Sequence, residues 1–111
     1  MATESLCPRY HRAVELVGRR WTGAIVRTLM SGPRRFNELL AAIPGISDRL
    51  LTERLRELEA ATVVRREVRP EPPVRVIYEL TPCGRDLGPA LDEIARWAER
   101  WIAPSPTSKV G

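Results

Sequence analysis

The chain has 111 residues, 43% hydrophobic and 29% charged, a balance that supports one folded domain and excludes a disordered tail as its main content. No apolar run is long enough to cross a bilayer, and Met1–Ser5 lacks the basic-then-apolar pattern of a secretory signal, so the expectation is a cytoplasmic protein with no membrane partner. The net charge is +4, and Lys109 is the one lysine among 18 basic residues; arginine grips phosphate and guanine with paired donors, although a GC-rich genome produces the same bias.

Pro8 suits a first helical position with Cys7 at the cap, and Tyr10, Val14 and Val17 share one face of a short helix that stops before Gly18. A second helix is expected from about Arg20 to Met30, with Trp21, Ile25, Val26 and Leu29 as its apolar stripe and Ser31-Gly32-Pro33 as its end. Arg34 and Arg35 precede a third short helix, roughly Phe36 to Ala42, and Pro44-Gly45 forces a turn. Ser47 is a good N-cap for a fourth helix, and Asp48 suits its first turn. That helix runs to about Ala61, and Leu51, Leu55 and Leu58 form its buried face.

The period then changes. Val63 to Val68 is β-branched and basic, and Val74, Val76, Tyr78 and Leu80 alternate as one half-buried strand does. Arg69-Pro70-Glu71-Pro72-Pro73 joins the two runs into a hairpin, since proline blocks strand continuation. Thr81-Pro82 caps a last helix in which Leu87, Leu91, Ile94, Ala98 and Trp101 follow a near-heptad spacing, with Trp97 as a second aromatic surface. Residues 1–102 therefore read as a single domain and 103–111 as a flexible tail rich in Pro, Ser and Thr.

This order predicts a mainly α fold with a two-stranded β wing, that is, an α+β winged helix-turn-helix. With the leucines inward, Asp48, Arg49, Thr52, Glu53 and Arg56 face outward, and such side chains near the start of a helix read base edges in a major groove. An ordinary solvated face with pairs one turn apart looks similar. In the wing, Arg65, Arg66, Arg69 and Arg75 cluster, with Arg69 and Arg75 flanking the loop tip where a phosphate backbone or minor groove would be met. Arginines that merely keep an edge strand apart from others are the alternative. Arg34 and Arg35 are further candidates for phosphate contact.

Several strings occur in register: Cys7-Pro8, Gly18 with Trp21, Gly32 with Arg35-Phe36-Asn37-Glu38-Leu39, Ile43-Pro44-Gly45-Ile46-Ser47, and Leu55-Arg56-Glu57-Leu58-Glu59. Arg66, Pro73, Arg75-Val76 and Tyr78 follow in the hairpin, then Leu80-Thr81-Pro82, Gly84 and Trp97. On these the chain resembles the HxlR-type family of bacterial regulators, relatives of the MarR-like winged-helix proteins, from about Leu6 to Trp101. The resemblance implies a homodimer, and most simply a repressor, on a pseudo-palindromic double-stranded DNA operator. It gives the reading role to Ser47, Arg49, Thr52 and Arg56 and the wing role to Arg75. The first and last helices would form the dimer interface through Tyr10, Val14, Leu87, Leu91, Ile94, Trp97, Ala98 and Trp101. Thr62, Val74 and Ile77 depart from the family pattern, which has glycine, a second proline and an acidic residue there.

Cys7 sits at a helix N-terminus near Arg9, His11 and Arg12, an arrangement that favours the thiolate. Relatives in the family use a cysteine at this position to sense oxidants or electrophiles, which makes an oxidant or small-molecule effector the implied signal; packing as a small apolar residue is the other reading. Cys83 is expected to be structural. One histidine and two cysteines make a closed metal site improbable, no cofactor is expected, and no nucleophile–base set or phosphate loop points to an enzyme. A winged-helix module that binds a protein instead of DNA is the competing function.

Overall fold

In a computed structural model, which describes residues 7–104, five helices and three short strands follow one another as α1 (Pro8–Val17), α2 (Thr22–Leu29), β1 (Arg34–Arg35), α3 (Phe36–Ala42), α4 (Asp48–Ala60), β2 (Val64–Arg69), β3 (Arg75–Leu80) and α5 (Pro82–Trp101). The sequence at Met1–Ser5 and residues 105–111 of the expected tail lie outside the described residues, while Ala103 and Pro104 carry no regular structure.

The apolar stripes meet as the period rules require. Ile25, Val26 and Leu29 of α2, Leu39 of α3, and Leu51, Leu55 and Leu58 of α4 form one buried cluster, closed by Val63, Val64, Leu80 and Leu91. Each fully buried leucine contributes roughly 1.5–3 kcal/mol of hydrophobic stabilisation, so the three on α4 fix its orientation. The hairpin β2–β3 is antiparallel, with Val64 opposite Leu80 and Arg69 opposite Arg75. Its first turn beyond α4 and the start of α5 are tied together: the Thr81 amide donates to the Val63 carbonyl at 3.0 Å, and the Gly84 amide donates to Thr81 Oγ1 at 3.1 Å. The chain is a winged helix-turn-helix, mostly helical with a β wing.

Three expectations change. α2 starts at Thr22 and not at Arg20, because Trp21 takes the left-handed conformation (φ 79°) and serves as its N-cap. Arg34-Arg35 is not simply a helix start: it forms β1, which pairs antiparallel with Tyr78 and Ile77, so the sheet has three strands in the order β1-β3-β2. Two residues are too few to show an alternating pattern. β3 is consequently the central strand and lies against α2, α3 and α5. It therefore loses the one-dry-face alternation: Ile77 is buried, whereas Val74 is exposed and falls before the strand.

Thr62 explains one departure from the family pattern. It stands just past the end of α4 with φ 61°, and its amide donates to the Glu59 carbonyl at 2.9 Å, as a helix-ending left-handed residue does. A β-branched side chain there is strained. Thr62→Gly is expected to raise stability by about 1 kcal/mol, read as a shifted midpoint in urea. Gly84→Ala should do the reverse, because a methyl group would lie 2.2 Å from the Val63 carbonyl oxygen; a loss of about 1–3 kcal/mol is expected in the same melts.

Candidate nucleic-acid interface

The turn between α3 and α4 is built from both sides. Pro44-Gly45 reverses the chain, with Gly45 at φ 95°, and Ile46 plugs the core beneath it. A methyl group on Gly45 would sit 3.3 Å from Trp21 Cη2, so the glycine is needed for close approach as well as for its backbone angle. Arg20 stacks its guanidinium 4.8 Å from the centre of the Trp21 ring. The two sequence features at Gly18–Trp21 and Ile43–Ser47 are thus two halves of one contact.

Ser47 then starts α4: its Oγ accepts from the Leu50 amide at 3.1 Å, and Asp48 stands in the first turn where the helix dipole favours an anion. Ser47, Asp48, Arg49, Glu53 and Arg56 are exposed, and Thr52 is half-buried. Among the described residues neither Arg49 nor Arg56 has an ion-pair partner. Sequence reasoning missed Arg54, whose side chain is only 10% exposed. The signal was present, since residues 51, 54, 55 and 58 complete a helical stripe, but an arginine in that stripe does not read as buried.

The wing sorts its arginines. Arg65 pairs with Glu79 and lies 4.0 Å from Glu67, which is the edge-strand role. Arg69 reaches Glu67 at 3.7 Å. Arg66 and Arg75 are exposed and, among the described residues, without an ion pair. Arg69 and Arg75 stand directly opposite each other at the loop end of the hairpin, a like-charge pairing that opposes the fold. Arg34 is half-buried and donates from Nη2 to Ser31 Oγ at 2.8 Å. Arg35 is exposed, and its backbone amide donates to Glu38 Oε1 at 2.8 Å.

The residues expected at a dimer interface divide. Tyr10 and Val14 on α1 and Ile94, Trp97 and Trp101 on α5 are exposed, with Trp97 at 59% and Trp101 at 69%. Ala98 is half-buried, and Leu87 packs partly against the core. Leu91 is a correction: it is 7% exposed inside a single subunit, because the first half of α5 lies on α2, held there by an Arg27–Asp92 pair at 3.0 Å. Ile102, not foreseen, extends the exposed apolar surface. Glu93 hydrogen-bonds Arg96 at 2.6 Å and pushes its guanidinium further up.

Both thiols are free and exposed. Cys7 is the N-cap of α1, and its carbonyl accepts from the His11 amide at 3.1 Å. Cys83, expected to be structural, instead borders an open cavity with Arg12, Leu16, Arg19 and Glu57. Among the described residues no group of His, Cys, Asp and Glu has the makings of a metal site, and no helix is long and apolar enough to cross a membrane.

The arrangement is that of a helix-turn-helix transcriptional regulator. Residues 16–106 match the HxlR-like helix-turn-helix family, and the chain belongs to it. It is 49% identical to the HTH-type transcriptional regulator YvaP of Bacillus subtilis (strain 168), covering 95% of this chain and 97% of that one. It is 45% identical to the HTH-type transcriptional regulator YodB of the same organism, over 93% and 92% of the two chains. The reduced form of YodB superposes with a TM-score of 0.82 over 89% of this chain and 97% of that chain at 45% identity, and YodB is also known in diamide-treated and quinone-bound forms. The redox regulator HypR in its oxidised form superposes with a TM-score of 0.79 at 37% identity, over 88% of this chain and 100% of that chain. The family and these relatives are transcriptional regulators and not enzymes.

Ser47→Ala removes the acceptor for the Leu50 amide and is expected to cost about 1 kcal/mol of stability, whereas Ser47→Asp keeps an acceptor and should stay near wild type. Denaturant melts of the two variants check this.

Proposed function

We propose that the protein acts as a homodimer that binds a pseudo-palindromic DNA operator in the cytoplasm and represses transcription. The observation that carries this reading is the outward face of α4 and the wing: Arg49, Arg56, Arg66 and Arg75 lack an ion pair among the described residues, and Arg69 faces Arg75 across the hairpin. Cations held apart from carboxylates on a helix and an adjacent hairpin suit a surface that is itself strongly anionic.

On this reading Ser47, Asp48, Arg49, Thr52, Glu53 and Arg56 enter the major groove. Arg66, Arg69 and Arg75 take the flanking groove and backbone, and Arg34 and Arg35 hold phosphate. The exposed apolar surface of Tyr10, Val14, Ile94, Trp97 and Trp101 is buried between two copies, an arrangement that spaces two α4 helices about one turn of duplex, ~34 Å, apart. Aromatic residues so exposed at a helix end are poorly accounted for by a monomer.

Cys7 is the proposed sensor of oxidants or electrophiles. The quinone-bound and diamide-treated forms of YodB and the oxidised form of HypR support an effector of that class. The thiol stands free at the cap of α1, beside the surface that would join the subunits.

Arg49→Ala and Arg56→Ala are each expected to weaken specific binding by about 1–3 kcal/mol and to relax base preference. Gel shifts on the DNA upstream of the protein's own gene measure this, and unchanged binding in both variants would point to a protein partner instead. Diamide or a benzoquinone is expected to release the wild-type protein from that DNA and to leave Cys7→Ser bound. An equal response in the two proteins would remove Cys7 from the mechanism.

A further inference from the structure

Arg54 is the one charged residue among those most deeply buried in the described chain. It is therefore costly to keep, and its contacts show what it holds. Its Nε donates to the backbone carbonyl of Arg20 at 2.9 Å. That carbonyl belongs to the corner between α1 and α2, one residue before the left-handed Trp21. Its Nη1 lies 3.4 Å from Glu57 Oε2 and 3.5 Å from Glu53 Oε1. Glu57 in turn pairs through Oε1 with Arg19 Nε at 3.0 Å.

The four side chains form an alternating chain of charge, Arg19–Glu57–Arg54–Glu53, that starts just beyond α1 and ends on the outward face of α4. Trp21, packed on Gly45, braces the turn that leads into the same helix. The α1–α2 corner therefore holds α4 at two points, one apolar at its leading turn and one ionic along its body. A planar guanidinium suits the second point, because it serves a carbonyl and two carboxylates at once, which an ammonium on a flexible stem does not.

We propose that Arg54 is a positioning residue for operator recognition. It locks the angle of α4 against the α1–α2 corner, and through that corner it sets the separation and tilt of the two reading helices in the dimer. It also holds the Glu53 carboxylate, so that the anion on the reading face does not swing toward phosphate. This inference rests on the DNA-binding reading above. It adds a residue that would touch no base and yet would govern which spacing of half-sites is accepted.

The test uses the full-length protein and two probes. One is a duplex selected by the wild-type protein from a random pool, with versions in which the half-sites are moved one base pair closer or farther. The other is a scrambled duplex of the same composition. Arg54→Gln, folded by circular dichroism, is expected to bind the selected duplex about tenfold more weakly, to bind the scrambled duplex within about twofold of wild type, and to lose its preference among spacings. Arg54→Lys should recover part of the affinity but not the spacing preference. A folded Arg54→Gln that keeps both the wild-type ratio and the wild-type spacing preference overturns the proposal. If Arg54→Gln does not fold, Glu57→Gln breaks the same chain at a half-exposed link. It should show the same loss of spacing preference, and an unchanged preference is again fatal. Failure of the wild-type protein to distinguish the two probes would be a separate result, overturning the DNA-binding reading and this inference with it.

Discussion

Leu51, Leu55 and Leu58 leave water together, and most of what the molecule presents to its surroundings follows from that burial. A helix has one inner stripe, and once it is fixed the opposite side chains have no freedom to choose a direction. The Ser47 cap sets where the helix begins, and the leucines set its rotation, so Arg49 and Arg56 project outward as a matter of geometry. Gly45 and Trp21 then decide how closely the preceding turn approaches the body.

The charges fall into two populations with different physics. One is satisfied inside the subunit: Arg19 and Arg54 with Glu57, Arg27 with Asp92, and Arg65 with Glu79. The exposed members of this group add little to stability, but Arg54 is desolvated and its partners matter more. The other population, Arg49 and Arg56 on α4 and Arg66 and Arg75 in the wing, lacks such partners among the described residues. A bare count of arginines does not separate the two groups, and only the partners do.

Much of the fold was legible because its signals are strong and local. Cys7-Pro8, Ser47-Asp48 and Thr81-Pro82 mark helix starts through capping chemistry, and α1, α4 and α5 fall where those marks put them. The outward set on α4 was readable from the leucine period alone. What escaped reading depends on tertiary context. Trp21 has the composition of a helix interior yet takes a left-handed backbone, because its ring packs against the turn around Gly45. β1 is two residues long and exists only through its pairing with β3. Leu91 shares a heptad pattern with Trp101, and nothing in that pattern marks the point where α5 leaves the body of its own subunit. Arg54 was hidden by its own chemistry, since a charged side chain is normally assigned to water.

The pairing of β1 with β3 has a mechanical meaning. β1 leads directly into α3, and β3 is the inner strand of the wing, so a ladder of backbone hydrogen bonds, and not only a connecting loop, joins the wing to the helix-turn-helix. The wing and the helix-turn-helix are then coupled through the backbone as one stiff unit. In the proposed dimer, compliance would be left to the joint between copies, and a signal that loosens the grip would have its best purchase there.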